Sequence, residues 1–176
     1  DINLIPPMVE FLENTLGKGI VYAKDTPNFI ANRIGVYGMM VTLSEARKKN
    51  LSIEDVDALT GTLIGRPKSA TFRTSDIVGL DTMCFVANTA YEKCTDDPEK
   101  EIFKIPDYLQ KIVDNKWLGQ KSKQGFYKKI DKGVIHSIDL ETLEYSKQNK
   151  KRYAGIRLAK EHTKTGDRIK ALINSD

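Results

Sequence analysis

Lys24-Asp25-Thr26-Pro27-Asn28-Phe29-Ile30-Ala31-Asn32-Arg33-Ile34-Gly35 is the stretch on which the fold turns, because it opens a helix and sets an amide on the helix's apolar face. Thr26 is an N-cap candidate, and Pro27 suits the first helical position, where no amide proton is needed. That start predicts a helix over residues 27–49, about six turns long. On it Phe29, Val36, Met39 and Leu43 stand at helical offsets from Asn32, so the amide shares their stripe. An amide in such a stripe costs roughly 1–3 kcal/mol unless something bonds it. Two readings follow: Asn32 caps a neighbouring loop or shares Arg33's partners, or it faces a ligand. Gly35 and Gly38 each cost up to about 1 kcal/mol relative to alanine, which suggests a close approach by another backbone or a ligand.

Upstream, residues 5–16 read as an amphipathic helix, and Gly19-Ile20-Val21-Tyr22-Ala23 as a short strand. Downstream, Ser52 caps a second helix with Asp55 as its capping-box partner, running to about Leu63. Residues 65–73 form a loop whose Arg66, Lys68 and Arg73 either meet a phosphate or stay solvated. A third helix over residues 76–94 carries Ile77, Leu80, Cys84, Ala87 and Tyr91 as a core stripe. Pro106 opens a fourth, reaching Asn115, with Leu109, Ile112 and Val113 turned inward. From Gly125 the period changes to two. Residues 126–127, 134–139 and 143–145 read as short strands, Asp131-Lys132-Gly133 as a hairpin turn, and residues 153–173 as a final helix.

The chain has 176 residues, 40% hydrophobic and 30% charged, enough for one domain with a real core and unlike a disordered polypeptide. No apolar run approaches the roughly 20 residues of a membrane span, and residues 1–10 do not resemble a signal peptide. Cys84 and Cys94, ten residues apart on one expected helix, would have α-carbons about 15 Å apart, too far for a disulfide. Free buried thiols point to a cytoplasmic protein. Two cysteines with His136 and His162 show no zinc spacing, so no metal is expected. Between Ser146 and Lys170, nine Lys or Arg residues face two acids, which leaves 19 of the 28 bases and 22 of the 24 acids elsewhere. This basic tail reads as a solvated helix or linker, or as a contact for phosphates. With few aromatics among the charges, a nucleic-acid surface is not expected.

Three ordered blocks carry a resemblance: residues 17–35; Leu51-Ser52-Ile53-Glu54-Asp55-Val56-Asp57 followed by Gly65-Arg66-Pro67 and Asp76-Ile77-Val78-Gly79-Leu80-Asp81; and Leu118-Gly119, Lys121 and Gln124-Gly125-Phe126-Tyr127. Together they resemble the 3-hydroxyacyl-CoA dehydrogenases, across the junction of their two domains and through a helical C-terminal domain ending in G-x-K-[ST]-x-x-G-F-Y. The wording of residues 65–81 is most similar to long multifunctional bacterial fatty-acid-oxidation enzymes. The resemblance implies a mainly α fold: residues 1–24 as the helix–strand end of an NAD-binding Rossmann domain, 25–128 as the helical domain, and 129–176 as a β-hairpin plus basic helix.

It also implies reversible hydride transfer between NAD and the 3-hydroxyl carbon of an acyl-CoA, with the base, a His–Glu pair, on the Rossmann domain. Neither His136 nor His162 stands in that motif, so this chain alone is expected to be inactive. Asn32 matches the family's active-site asparagine, which would reach the catalytic histidine or the substrate across the domain cleft. Arg66, Pro67, Lys68 and Phe72 fall on the loop that borders the acyl chain, with a departure: Lys68, Ser69 and Ala70 replace the common M-G-P, and one extra residue precedes Phe72. Arg33 is expected to make a structural ion pair, with Asp76 or Asp81 as candidates. Gly17-Lys18-Gly19 precedes the expected strand, where a dinucleotide fingerprint would follow one. Partners implied are the acyl-CoA and a second helical domain, in another subunit or in the same chain. A non-catalytic helical interaction module, or the helical domain of another hydroxy-acid dehydrogenase, are the alternatives.

Overall fold

The computed structural model describes residues 1–149 and 151–175. In chain order it contains α1 (Ile5–Glu10), running on as a π-helical turn (Phe11–Thr15), then α2 (Ala31–Lys48), α3 (Ile53–Thr60), α4 (Phe72–Val78), α5 (Leu80–Lys93) and α6 (Asp107–Asp114). Three strands follow, β1 (Tyr127–Asp131), β2 (Val134–Ile138) and β3 (Tyr145–Lys147), and two helices close the chain, α7 (Ala154–Lys160) and α8 (Thr165–Ile173). Among the described residues no helix is long and apolar enough to cross a membrane.

Elements with local causes form where the residues direct them. Ser52 Oγ accepts the Asp55 amide while the Asp55 carboxylate accepts the Ser52 amide, so the capping box at α3 is complete. Lys132 and Gly133 turn β1 into β2, Gly133 taking φ +79°. β3 adds to the far side of β2, giving an antiparallel sheet in the order β1-β2-β3.

The expected strand over residues 19–23 does not form; among the described residues no strand precedes Tyr127. Its backbone finds no ladder partner, and Val21 and Tyr22 stay about three-quarters exposed, at 73% and 75%. An unpaired strand has nothing to hold it. The expected start of the long helix also shifts. Asn28 and Phe29 take left-handed conformations, φ +64° and +47°, which a right-handed helix cannot include, so α2 begins at Ala31 with Ile30, not Thr26, at its N-cap. The helix expected over residues 76–94 is two helices, because Gly79 at φ +99° turns the chain between α4 and α5. The final helix is likewise split into α7 and α8, with residues 161–164 between them.

The core lies between α2, α3, α5 and α6 and is closed by the sheet. Val36, Met40 and Leu43 of α2 meet Leu80, Met83, Cys84, Ala87 and Ala90 of α5, with Leu109 and Ile112 of α6 and Phe72, Phe103 and Phe126 filling the ends. Cys84 and Cys94 are free and buried, and burial pushes the Cys84 thiol up to about 12. Ile77, expected in this core, is 54% exposed, because the turn at Gly79 takes α4 off the axis of α5.

Candidate functional site

Asn32 sits in the first turn of α2 and is exposed. The stripe it was assigned to is buried only from Val36 onward, and Phe29 is 60% exposed, so the amide lies beyond the edge of the core. Among the described residues its side chain makes no hydrogen bond, and in water it incurs no desolvation cost. Its surroundings are nevertheless held. The Asn28 amide donates to the Val86 carbonyl at 2.9 Å, which ties the left-handed turn before α2 to α5. The Arg33 guanidinium donates to the Asp97 carboxylate, so the ion pair expected with Asp76 or Asp81 is made elsewhere. That hydrogen bond raises the Arg33 pKa and lowers that of Asp97.

Asp76 and Asp81 face a different task. The two Asp76 oxygens accept the backbone amides of Phe126 and Tyr127, at 2.8 and 2.9 Å, and so anchor the start of β1 to α4. Gly119 and Gly125 pack directly on this aspartate. A Cβ at Gly119 would stand 2.3 Å from the Asp76 carbonyl oxygen, and one at Gly125 2.1 Å from Asp76 Oδ1, so no larger residue fits either place. Lys121, between those glycines, places its ammonium 2.6 Å from the Asp81 carboxylate, and its hydrogen bond lowers the Asp81 pKa. Desolvation pushes the Asp76 carboxyl up to about 6, against the two amides that favour its charge. The block running from Gly119 to Tyr127 is therefore a clasp around the aspartates at the two ends of the Asp76-Ile77-Val78-Gly79-Leu80-Asp81 block.

Asp57 does for the neighbouring loop what Asp76 does for the strand. It accepts the amides of Thr71, Phe72 and Arg73 at 3.0, 2.7 and 3.0 Å, and the Tyr127 hydroxyl at 2.8 Å. A carboxylate of α3 thus caps α4, whose own N-cap residue, Thr71, makes no side-chain cap bond. This is why the loop expected over residues 65–73 ends at Thr71. Burial raises the Asp57 pKa, and burial together with Asp57 pushes the Tyr127 hydroxyl upward as well, so the phenol stays a neutral donor.

The four loop residues separate into two kinds. Phe72 is fully buried, packed edge-on against Phe126 with ring centroids 4.8 Å apart. Arg66 turns back to donate to Thr71 Oγ1 at 2.9 Å, and that hydroxyl donates onward to Thr60. Pro67 and Lys68 are exposed. Among the described residues no hydrogen bond joins Asn32 to this loop. Neither Asp57 nor Tyr127 stands out by its local pattern, and Asp76 is expected only as a partner of Arg33; the one signal for their capping role is that both aspartates and the tyrosine lie inside the three blocks.

The three blocks thus clasp one another within a helical domain, and at the head of its longest helix stands an asparagine with no hydrogen bond among the described residues. The chain belongs to the family of the 3-hydroxyacyl-CoA dehydrogenase C-terminal domain, whose model matches residues 29–129. It is 49% identical over all 176 residues to a "Probable 3-hydroxyacyl-CoA dehydrogenase" of Bacillus subtilis, of which it spans 22%. A protein of the same name from Deinococcus radiodurans is 44% identical over 73% of this chain and 36% of its own length. The crystal structure of Mycobacterium tuberculosis FadB2 superimposes with a TM-score of 0.59 at 30% identity, covering 69% of this chain and 41% of that one. The chain thus corresponds to the helical C-terminal portion of a larger protein of this kind.

Proposed function

We propose that this chain forms, in a complete NAD-dependent 3-hydroxyacyl-CoA dehydrogenase of fatty-acid β-oxidation, the helical wall of the acyl-CoA site. The observation that carries the reading is Asn32: a side chain with both a donor and an acceptor, bonded to nothing among the described residues, on a helix pinned by Asn28 and Arg33. An amide so placed can orient a histidine or a thioester carbonyl presented from a facing domain without rearranging itself. Of the loop residues, Pro67 and Lys68 are exposed and in this reading would border an acyl-CoA, while Arg66 and Phe72 keep the loop in shape. Residues 1–24 belong to the cofactor domain in this reading, residues 25–128 are the helical domain, and residues 129–176 extend it.

Gly17-Lys18-Gly19 leads into chain without regular structure and not into a helix N-terminus, so these three residues do not fit a dinucleotide pyrophosphate and no step is assigned to them through it. The hydroxyl-proton base likewise comes from outside this chain. Exposed Ile34, Val78 and Phe85 suit a helix-on-helix contact with a second copy or a second helical half. In the complete enzyme, Asn32→Ala lowers kcat for NADH-dependent reduction of acetoacetyl-CoA by roughly tenfold or more, because orientation at the reacting centre is lost. Stability changes by less than about 0.5 kcal/mol, since the side chain is exposed and unbonded. Unchanged turnover would remove Asn32 from the mechanism.

A further inference from the structure

The C-terminal hairpin of α7 and α8 lies beyond residue 129, where the family model ends, yet it folds back onto the family domain. The two helices pack tightly on each other, with Ser175 against Gly155, and both rest on the same 3-10 turn, Thr62–Ile64. Arg168, in the first turn of α8, is the link. Its Nε donates to the Leu63 carbonyl at 2.9 Å, while its two terminal nitrogens hold the Thr163 carbonyl and Thr165 Oγ1, each at 2.8 Å. One guanidinium therefore bonds the turn from one side and fixes the entry into α8 from the other, with charge-assisted bonds that are stronger than neutral ones. Gly65, at φ +79°, completes the fit, since a Cβ there would stand 3.1 Å from the Thr165 methyl.

What this contact holds is the near end of the loop that carries Pro67 and Lys68. The far end is already fixed by Asp57 and by the bond from Arg66 to Thr71. With both ends tied, the exposed tip can take only a narrow range of positions. We propose that Arg168 is a positioning residue through which the α7–α8 hairpin sets the acyl-chain preference of the site; this rests on the reading that the loop borders the acyl chain. In that reading a short acyl group would end before the loop, and the distal methylenes of a long one would lie along it. Loosening the tip therefore changes the binding of long substrates and leaves the chemistry of short ones alone.

The test is the complete enzyme with Arg168→Ala, assayed with acetoacetyl-CoA and with a long-chain 3-oxoacyl-CoA, and Asn32→Ala run beside it. The expected result is a change of about fivefold or more in the long-to-short ratio of kcat/KM, entering through the KM of the long substrate, with kcat on acetoacetyl-CoA within about twofold of the parent. Thr165→Val, which removes one Arg168 partner and keeps the methyl against Gly65, moves the ratio in the same direction by less and serves if Arg168→Ala fails to fold. A constant ratio, or an equal loss on both substrates together with a lower Tm, overturns the proposal and makes the contact purely structural. If Asn32→Ala slows both substrates while the ratio stays constant in the Arg168 variant, the inference about the hairpin fails alone. If Asn32→Ala is silent, the Asn32 reading fails.

Discussion

Asp76 gives this domain an unusual response to acid. Its carboxyl is buried at 1% exposure, and its pKa stands at about 6 against 3.8 for the free side chain. Because the folded value is raised, the folded state binds the proton more tightly than the unfolded one between those two values. Stability from this group is fully present below the unfolded pKa and is lost as pH rises through the folded pKa. A displacement of about two units corresponds to about 3 kcal/mol in full, and lowering the pH from 7.5 to 5 recovers about 1–1.5 kcal/mol of it. Asp57, raised by burial, acts in the same direction. The carboxylates of Glu45, Asp81, Asp97, Asp139 and Glu141, all held low by hydrogen bonds, act in the opposite direction only at lower pH, as they become protonated. Urea unfolding followed by circular dichroism at pH 7.5 and pH 5 should therefore show the midpoint rising with acid. Asp76→Asn lowers stability at both values, because its amide cannot accept both the Phe126 and the Tyr127 amides, at a cost of roughly 1–3 kcal/mol. It also removes most of the rise. A midpoint that falls between pH 7.5 and 5, or a rise of equal size in Asp76→Asn, would refute the reasoning.

Two further substitutions probe the same clasp. Gly119→Ala places a methyl 2.3 Å from the Asp76 carbonyl oxygen at φ +93°, and should cost about 2 kcal/mol or more, read as a lowered thermal midpoint. Phe72→Ala empties a fully buried site against Phe126 and should cost about 3–5 kcal/mol in urea unfolding; a loss below about 1 kcal/mol would mean that the ring is not part of the core.

The elements legible in the residues are those whose causes lie within a turn or two along the chain. The capping box at Ser52 and Asp55, the turn at Lys132-Gly133, and the inward faces of α5 and α6 each follow from groups a few positions apart, which no distant contact had to arrange. The blocks that carry the family resemblance were also plain to see. What they do was not, because a carboxylate such as Asp57 or Asp76 looks the same in a sequence whether it meets solvent, an arginine or a row of backbone amides.

Long-range geometry decided the rest. Asp57 meets α4 across 15 residues and Tyr127 across 70, and Asp76 meets Phe126 across 50, so nothing local marks these aspartates as caps. Arg33 chose Asp97 over two nearer candidates because the turn tied to Val86 brings the start of α2 alongside the end of α5. The missing strand over residues 19–23 has a correct local pattern and no neighbour to pair with. Asn32 shows the division most clearly: its place on a helix in line with an apolar stripe was set by residue spacing alone. Whether that stripe is buried as far as Asn32 depends on what packs there, and in the folded chain the core stops one turn short of it.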